Sequence, residues 1–262
     1  MARVIAVANQ KGGVGKTTTA INLAACLAHL DKKVLVVDFD PQANASSGLG
    51  VSASEDAGIY HALIGERPLV DAIKKTDHPK LHLVPGSAAL AGAAVELVSA
   101  DEREHFLRKA IDAVRDSYDY VFIDNPPSLG IITLNGLVAA DAVLIPVQAE
   151  YFALEGLGQL LSTIELVRAN LKPELAISGS VITMYDARTR LSKEVLQELY
   201  RHFPNNMFRS VIPRSVRLAE APSFGKSIIS YDPFSKAAKA YERLAKEFLM
   251  REQEVMESEA LA

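Results

Sequence analysis

Eight residues constrain this chain more than any others. Lys11-Gly12-Gly13-Val14-Gly15-Lys16-Thr17-Thr18 stands between the strand-length apolar run Val4–Ala8 and a helical pattern over Thr17–Leu30. Three glycines let such a segment turn its N–H groups inward, which makes a nest for an anion. The helix that follows brings the positive end of its dipole to the same place. Lys16 has the reach to meet β- and γ-phosphates, and the Thr17 hydroxyl suits Mg²⁺. The usual phosphate-loop pattern has glycine at the tenth residue; Gln10 stands there instead, and a second lysine, Lys11, opens the loop.

The rest of the chain repeats the strand–helix alternation. Strand-like runs occur at Val4–Ala8, Val34–Asp38, Leu81–Pro85, Tyr120–Asp124, Ala142–Val147, Ile177–Thr183 and Phe208–Ile212. Most are apolar throughout, as expected of strands covered on both faces. Helical patterns fill Glu102–Ser117, Leu154–Asn170, Arg190–His202 and Ser235–Met250, while Pro41–Asp101 is rich in small residues and reads as irregular. This order predicts right-handed crossovers and one α/β domain over 1–262: a mainly parallel twisted sheet with helices on both faces. Ligands in such sheets sit beyond the carboxyl ends of the strands. Asn9-Gln10-Lys11, Asp38-Phe39-Asp40 and Asp124-Asn125-Pro126-Pro127 follow three of those ends and point to one site. Asp38 and Asp40 also suit a plain turn before Pro41.

Charge needs to be read by position. Over 262 residues, 28 Lys+Arg face 32 Asp+Glu, a formal net charge of −4 that as a total argues against nucleic acid. The stretch from Arg188 to Lys226, however, holds Arg188, Arg190, Lys193, Arg201, Arg209, Arg214, Arg217 and Lys226 against Glu194, Glu198 and Glu220. That segment carries +5 and the remainder −9. Cys26 is the single cysteine, inside the first helix, and reads as a small core residue. The scattered histidines suggest no metal site. No apolar run approaches the roughly 18 residues of a membrane span, so a soluble cytoplasmic chain is expected.

The loop resembles the deviant Walker A loop of the ParA/MinD ATPases. The likeness extends through Val36–Asn44, Asp124–Leu129, Pro146–Tyr151 and Val211–Ser223, and is nearest to the chromosome-partitioning ParA/Soj branch. It implies a dimer that sandwiches two ATP molecules, with Lys11 crossing to the partner's nucleotide, much as an arginine finger acts in trans. Lys16 completes the cradle formed by Gly12, Gly13, Val14, Gly15, Thr17 and Thr18. Asp40 matches the catalytic aspartate that orients water. Thr17, and Asp124 through water, would hold Mg²⁺. Pro213 and Ser215 match the adenine pocket, where many relatives carry Asn; serine is shorter and lacks the amide's donor–acceptor pair.

Arg188 and Arg217 match arginines through which ParA/Soj dimers hold double-stranded DNA without sequence preference. The resemblance further implies a slow ATPase stimulated by a ParB-type centromere-binding protein, nucleoid association, and segregation of chromosome or plasmid origins. A loop beginning at residue 9 leaves no expectation of a preceding helix-turn-helix. Nitrogenase iron protein shares the loop but needs more cysteines. MinD, which attaches to membranes through a basic C-terminal helix, is the nearer alternative. Here Lys246 to Ala262 holds five Glu against Lys246 and Arg251, so 251–262 reads as a frayed acidic tail with no affinity for anionic lipid. A metabolic ATP-dependent ligase built on the same loop is the other alternative.

Overall fold

A computed structural model describes residues 1–52, 58–150, 153–204 and 206–260; Tyr151, part of one matched motif, lies outside them. The strands are β1 (Arg3–Val7), β2 (Val34–Asp38), β3 (Lys74–Lys75), β4 (Leu81–Val84), β5 (Tyr120–Asp124), β6 (Ala142–Gln148), β7 (Ala176–Tyr185) and β8 (Met207–Pro213). They form one sheet in the order β3-β4-β2-β5-β1-β6-β7-β8, parallel throughout except at β3–β4. The first helices are α1 (Lys16–His29), α2 (Asn44–Gly48), α3 (Ile59–Leu63), α4 (Leu69–Ala72), α5 (Leu90–Glu96) and α6 (Phe106–Asp112). Then come α7 (Ile131–Ala139), α8 (Ala153–Asn170), α9 (Arg190–His202), α10 (Val216–Glu220), α11 (Ile228–Tyr231) and α12 (Lys236–Ala260).

Alternation along the strands divides the interior in two. Ile5, Val7, Val34, Val36 and Phe122 face one core, shared with α1 and α12. Val4, Ala6, Leu35, Val37 and Ile123 face the other, shared with α3 to α9. Both faces are therefore covered, which is why the strands are continuously apolar. β1 lies between β5 and β6, and the crossovers diverge to either side of it. Its carboxyl end consequently opens a crevice, and the glycine loop is the segment that leaves it.

The expected α/β architecture is the one observed, with differences that have identifiable causes. The helix expected over Glu102–Ser117 begins only at Phe106, because Glu102 takes the left-handed φ of 51°, and it gives way to a 3-10 turn at Arg115–Ser117. α7 escaped sequence reading because it is buried on most sides and shows no polar stripe, while Asn135-Gly136 reads as a turn. The described residues of the small-residue stretch Pro41–Asp101 include four short helices and the antiparallel edge strand β3.

The acidic tail is not frayed at its start: α12 continues to Ala260. The Arg251 guanidinium lies 4.3 Å from the centroid of the Phe208 ring. Glu252 is buried, pairs with Arg3 at 3.3 Å and accepts a hydrogen bond from Ser178 Oγ. A charge count along the sequence could not reveal that β1 presents a half-buried arginine to this helix. Tyr241, Leu244 and Phe248 on the same helix are fully buried, each contributing about 1.5–3 kcal/mol.

Candidate functional site

The glycine loop is shaped by its backbone and tied down by neighbouring strands. Gly13 and Gly15 take φ values of 73° and 87°, where a side chain would be strained. Asn9 Nδ2 donates to the Pro146 carbonyl at 2.8 Å, and its Oδ1 accepts from Lys11 N–H at 3.0 Å. Thr183 Oγ1 donates to the Val14 carbonyl at 2.7 Å. The loop is thus bound to β6 and β7, and Lys16 Nζ reaches back to the Lys11 carbonyl at 3.1 Å. Gly12, Gly13, Gly15, Lys16, Thr17 and Thr18 enclose, with Asp40, Gln42 and Pro127, a cavity of about 330 Å³.

The floor beneath this cavity carries buried charge. Asp38 and Asp124 are register partners on β2 and β5, and both are fully buried. Burial pushes the Asp124 carboxyl well above the usual range, reinforced by Asp38 and Asp40 and opposed by the Thr17 hydroxyl and Lys16. Burial also raises Asp38, to about 6, against hydrogen bonds from Ser46 and the Asp40 N–H. Lys16 is lowered by its own burial, and Asp124 and Asp40 counter this. Neither Asp124 oxygen has a hydrogen-bond partner, although Thr17 is near enough to favour the charged form. Two orphaned carboxylate oxygens beside a hydroxyl are a hard-oxygen donor set that fits Mg²⁺ shared with phosphate. Among the described residues no group of three or more His, Cys, Asp or Glu could hold a metal by itself.

A second cavity of about 170 Å³ adjoins the first, sharing Gly15, Thr18 and Met184. Pro213 and Ser215 line it, joined by Leu218, Ala219 and Tyr241. Ser215 Oγ is engaged as the N-cap of α10, accepting from Leu218 N–H at 3.3 Å. Sequence reasoning missed Met184 and Tyr241. Met184 has φ 52°, which nothing in its neighbours announces. Tyr241 arrives from α12, where its hydroxyl lies 3.3 Å from Thr19 Oγ1.

Lys11 stands outside both cavities, at the rim. Its Nζ lies 3.3 Å from Glu150 Oε2, and Arg214 approaches the other Glu150 oxygen at 4.0 Å. Arg188 and Arg217 follow the carboxyl ends of β7 and β8, which pair at Tyr185 and Pro213. Both are exposed and both are engaged. Arg188 makes a two-pronged bond to Asp186, at 2.9 and 2.7 Å, which lowers that carboxyl to about 2. Arg217 bonds Glu220 at 3.1 Å and lies 3.7 Å from Asp232. Among the described residues, Arg188, Arg190, Arg201, Arg214 and Arg217 of the segment lie within ion-pair distance of a carboxylate. Asp186, Glu150 and Asp232 lie outside the counted stretch, so the local excess of +5 is smaller in space than along the chain.

Comparison with known proteins adds an independent line. A family model described as AAA domain matches residues 2–177. The chain is 51% identical over 248 residues to the sporulation initiation inhibitor protein Soj of Bacillus subtilis, covering 94% of this chain and 98% of that protein. It is 55% identical over 253 residues to the chromosome-partitioning ATPase Soj of Thermus thermophilus, covering 96% and 97%. Among solved structures it is similar to cobyrinic acid a,c-diamide synthase from Mycobacterium smegmatis with bound ATP analog and magnesium. That likeness has a TM-score of 0.85 and 36% identity, covering 97% of this chain and 96% of the other.

Proposed function

The chain belongs to the ParA/Soj family of chromosome-partitioning ATPases, and on that premise we propose that it is an ATP-switched DNA carrier. It binds ATP with Mg²⁺, dimerises in that state and holds duplex DNA without sequence preference. With a ParB-type partner that stimulates slow hydrolysis, it segregates chromosome or plasmid origins. Such a protein works in the cytoplasm on the nucleoid.

The observation that carries this reading is the pair of joined cavities. One is walled by loop N–H groups and Lys16, as a phosphate chain requires, and the other is mostly apolar and shaped for a base. Lys16 neutralises phosphate charge from within the protomer. Lys11, held at the rim by Glu150, is free of the phosphate cavity and suits a reach toward a facing protomer. Asp40 orients the attacking water. Thr17 and, through water, Asp124 would hold Mg²⁺, which supplies neutralisation of charge developing on the transferred phosphoryl group. Arg188 and Arg217 exchange their carboxylate partners for DNA phosphates, and counterion release makes that exchange steeply salt-dependent. Dimerisation doubles the contacts on one duplex and so links DNA affinity to nucleotide state.

Against the membrane alternative, Tyr241, Leu244 and Phe248 of α12 are buried against the sheet, and the end of the same helix is acidic, which anionic lipid repels. No described helix is long and apolar enough to cross a membrane. The name of the Mycobacterium smegmatis structure favours a second reading, an ATP-dependent ligase, but the Soj relatives are more similar in sequence.

Sedimentation with duplex DNA and with anionic vesicles, under ATP and under ADP, separates the three. DNA should pellet the chain only with ATP, and Arg188→Glu and Arg217→Glu should each lose that pelleting. Vesicle pelleting would establish the membrane reading instead, and binding to neither would favour the ligase.

A further inference from the structure

Asp38 lines neither cavity, yet it is fully buried at the hinge between β2 and Asp40. Its Oδ2 accepts two hydrogen bonds from one residue, Ser46: from the backbone N–H at 2.7 Å and from Oγ at 2.6 Å. Its Oδ1 accepts from Asp40 N–H at 3.4 Å. Ser46 Oγ in turn accepts from Gly86 N–H at 3.0 Å. The donors therefore run in one direction, Gly86 to Ser46 to Asp38, and such chains polarise one another in a dry interior.

Gly86 grips the same turn from its backbone side. A Cβ there would lie 2.9 Å from both the Asp38 and the Asp40 carbonyl oxygens, and 3.0 Å from Asp38 Cγ. Only the absence of a side chain lets the loop after β4 approach so closely. Between these grips, Phe39 N–H donates to the Asp124 carbonyl at 3.0 Å and its ring is fully buried. Asp40 Oδ1 accepts from Gln42 N–H at 2.9 Å, completing the turn that brings Asp40 to the phosphate cavity. α2, which carries Ser46, has five residues and cannot hold its own position without such tertiary bonds.

We propose that Ser46 and Gly86 are positioning residues for hydrolysis: through Asp38 they set where the Asp40 carboxylate stands over the phosphate cavity. The proposal rests on the reading of Asp40 as the group that orients water. Removing the Ser46 hydroxyl leaves Gly86 N–H without its acceptor and Asp38 with one donor fewer, so the turn shifts while the glycine loop stays intact. Misplacement by a fraction of an ångström is costly to a water-orienting group and nearly neutral to phosphate binding.

Steady-state ATP turnover, with binding of a fluorescent ATP analogue measured in parallel, tests this on the full chain. Ser46→Ala should lower kcat by about ten- to hundredfold, with analogue affinity and KM within about threefold of wild type. Ser46→Thr keeps the hydroxyl and should restore most of the turnover. Gly86→Ala, which forces the two carbonyls apart, should lose at least as much as Ser46→Ala. Unchanged turnover in Ser46→Ala, or equal losses in the alanine and threonine variants, would overturn the proposal. Should Ser46→Ala not fold, Gly86→Ala decides: lost turnover with retained affinity supports the proposal, and parallel loss of both refutes it. A wild-type chain that does not hydrolyse ATP would instead remove the reading of Asp40 itself.

Discussion

The crevice beyond β1, β2 and β5 and the edge beyond β7 and β8 both gather charge, and they hold it in opposite ways. In the crevice Lys16, Asp38 and Asp124 are buried, and two oxygens of Asp124 have no hydrogen-bond partner. At the edge Arg188 and Arg217 are exposed, and each already has a carboxylate beside it. Buried charge of the first kind costs stability and is retained only where chemistry uses it. Exposed pairs of the second kind contribute little to stability and are readily exchanged for other anions. On the proposed function, one region keeps a fixed geometry around phosphate and the other gives up its partners.

Three substitutions press on that contrast. Lys16→Ala should have the largest effect, weakening nucleotide affinity by about a hundredfold or more, because a charge-assisted bond in a buried site is lost. Calorimetry showing affinity within about threefold of wild type would break the assignment of the crevice.

Asp124→Asn should raise the thermal midpoint of the nucleotide-free chain at pH 7 by about 2–4 °C, the shift that one kcal/mol produces at this size. The sign follows from proton binding. A carboxyl raised above its ordinary 3.8 holds its proton more tightly folded than unfolded, so it favours the folded state toward acid and disfavours it as pH rises. The gain from the substitution should therefore shrink as pH falls and the native carboxyl takes up its proton. A lower midpoint at pH 7 would mean that the Asp124 charge is compensated after all.

The smallest effect belongs to the edge. Asp186→Asn should strengthen duplex DNA binding by about two- to threefold and steepen its salt dependence, since Arg188 then releases further counterions. Thermal unfolding should not move. Weaker binding would sharpen the picture differently, by showing that Asp186 holds Arg188 in the orientation that phosphate needs.

Much of the crevice was legible in the sequence because its parts are short and contiguous. The loop reads from Lys11 to Thr18 without a break, and Asp38, Asp40 and Asp124 announce themselves as polar residues at the ends of apolar strands. The edge was legible only as a total. Counting from Arg188 to Lys226 excluded Asp186 by two positions and Asp232 by six, and those residues are the ones the fold sets against the arginines. The tail misled in the same manner, since Glu252 counts as a solvated acid until β1 brings Arg3 to it.

The sequence by itself determined the α/β class, the phosphate loop and the identity of the charged residues at the strand ends, because periodicity and turn chemistry act between near neighbours. The tertiary structure decided the second, mostly apolar cavity, which Gly15 and Tyr241 line together, and the grip of Ser46 and Gly86 on the turn that carries Asp40. It also decided which arginines already have partners. These depend on which strand ends lie side by side, and that order, with β1 between β5 and β6, is written in no local stretch of the chain.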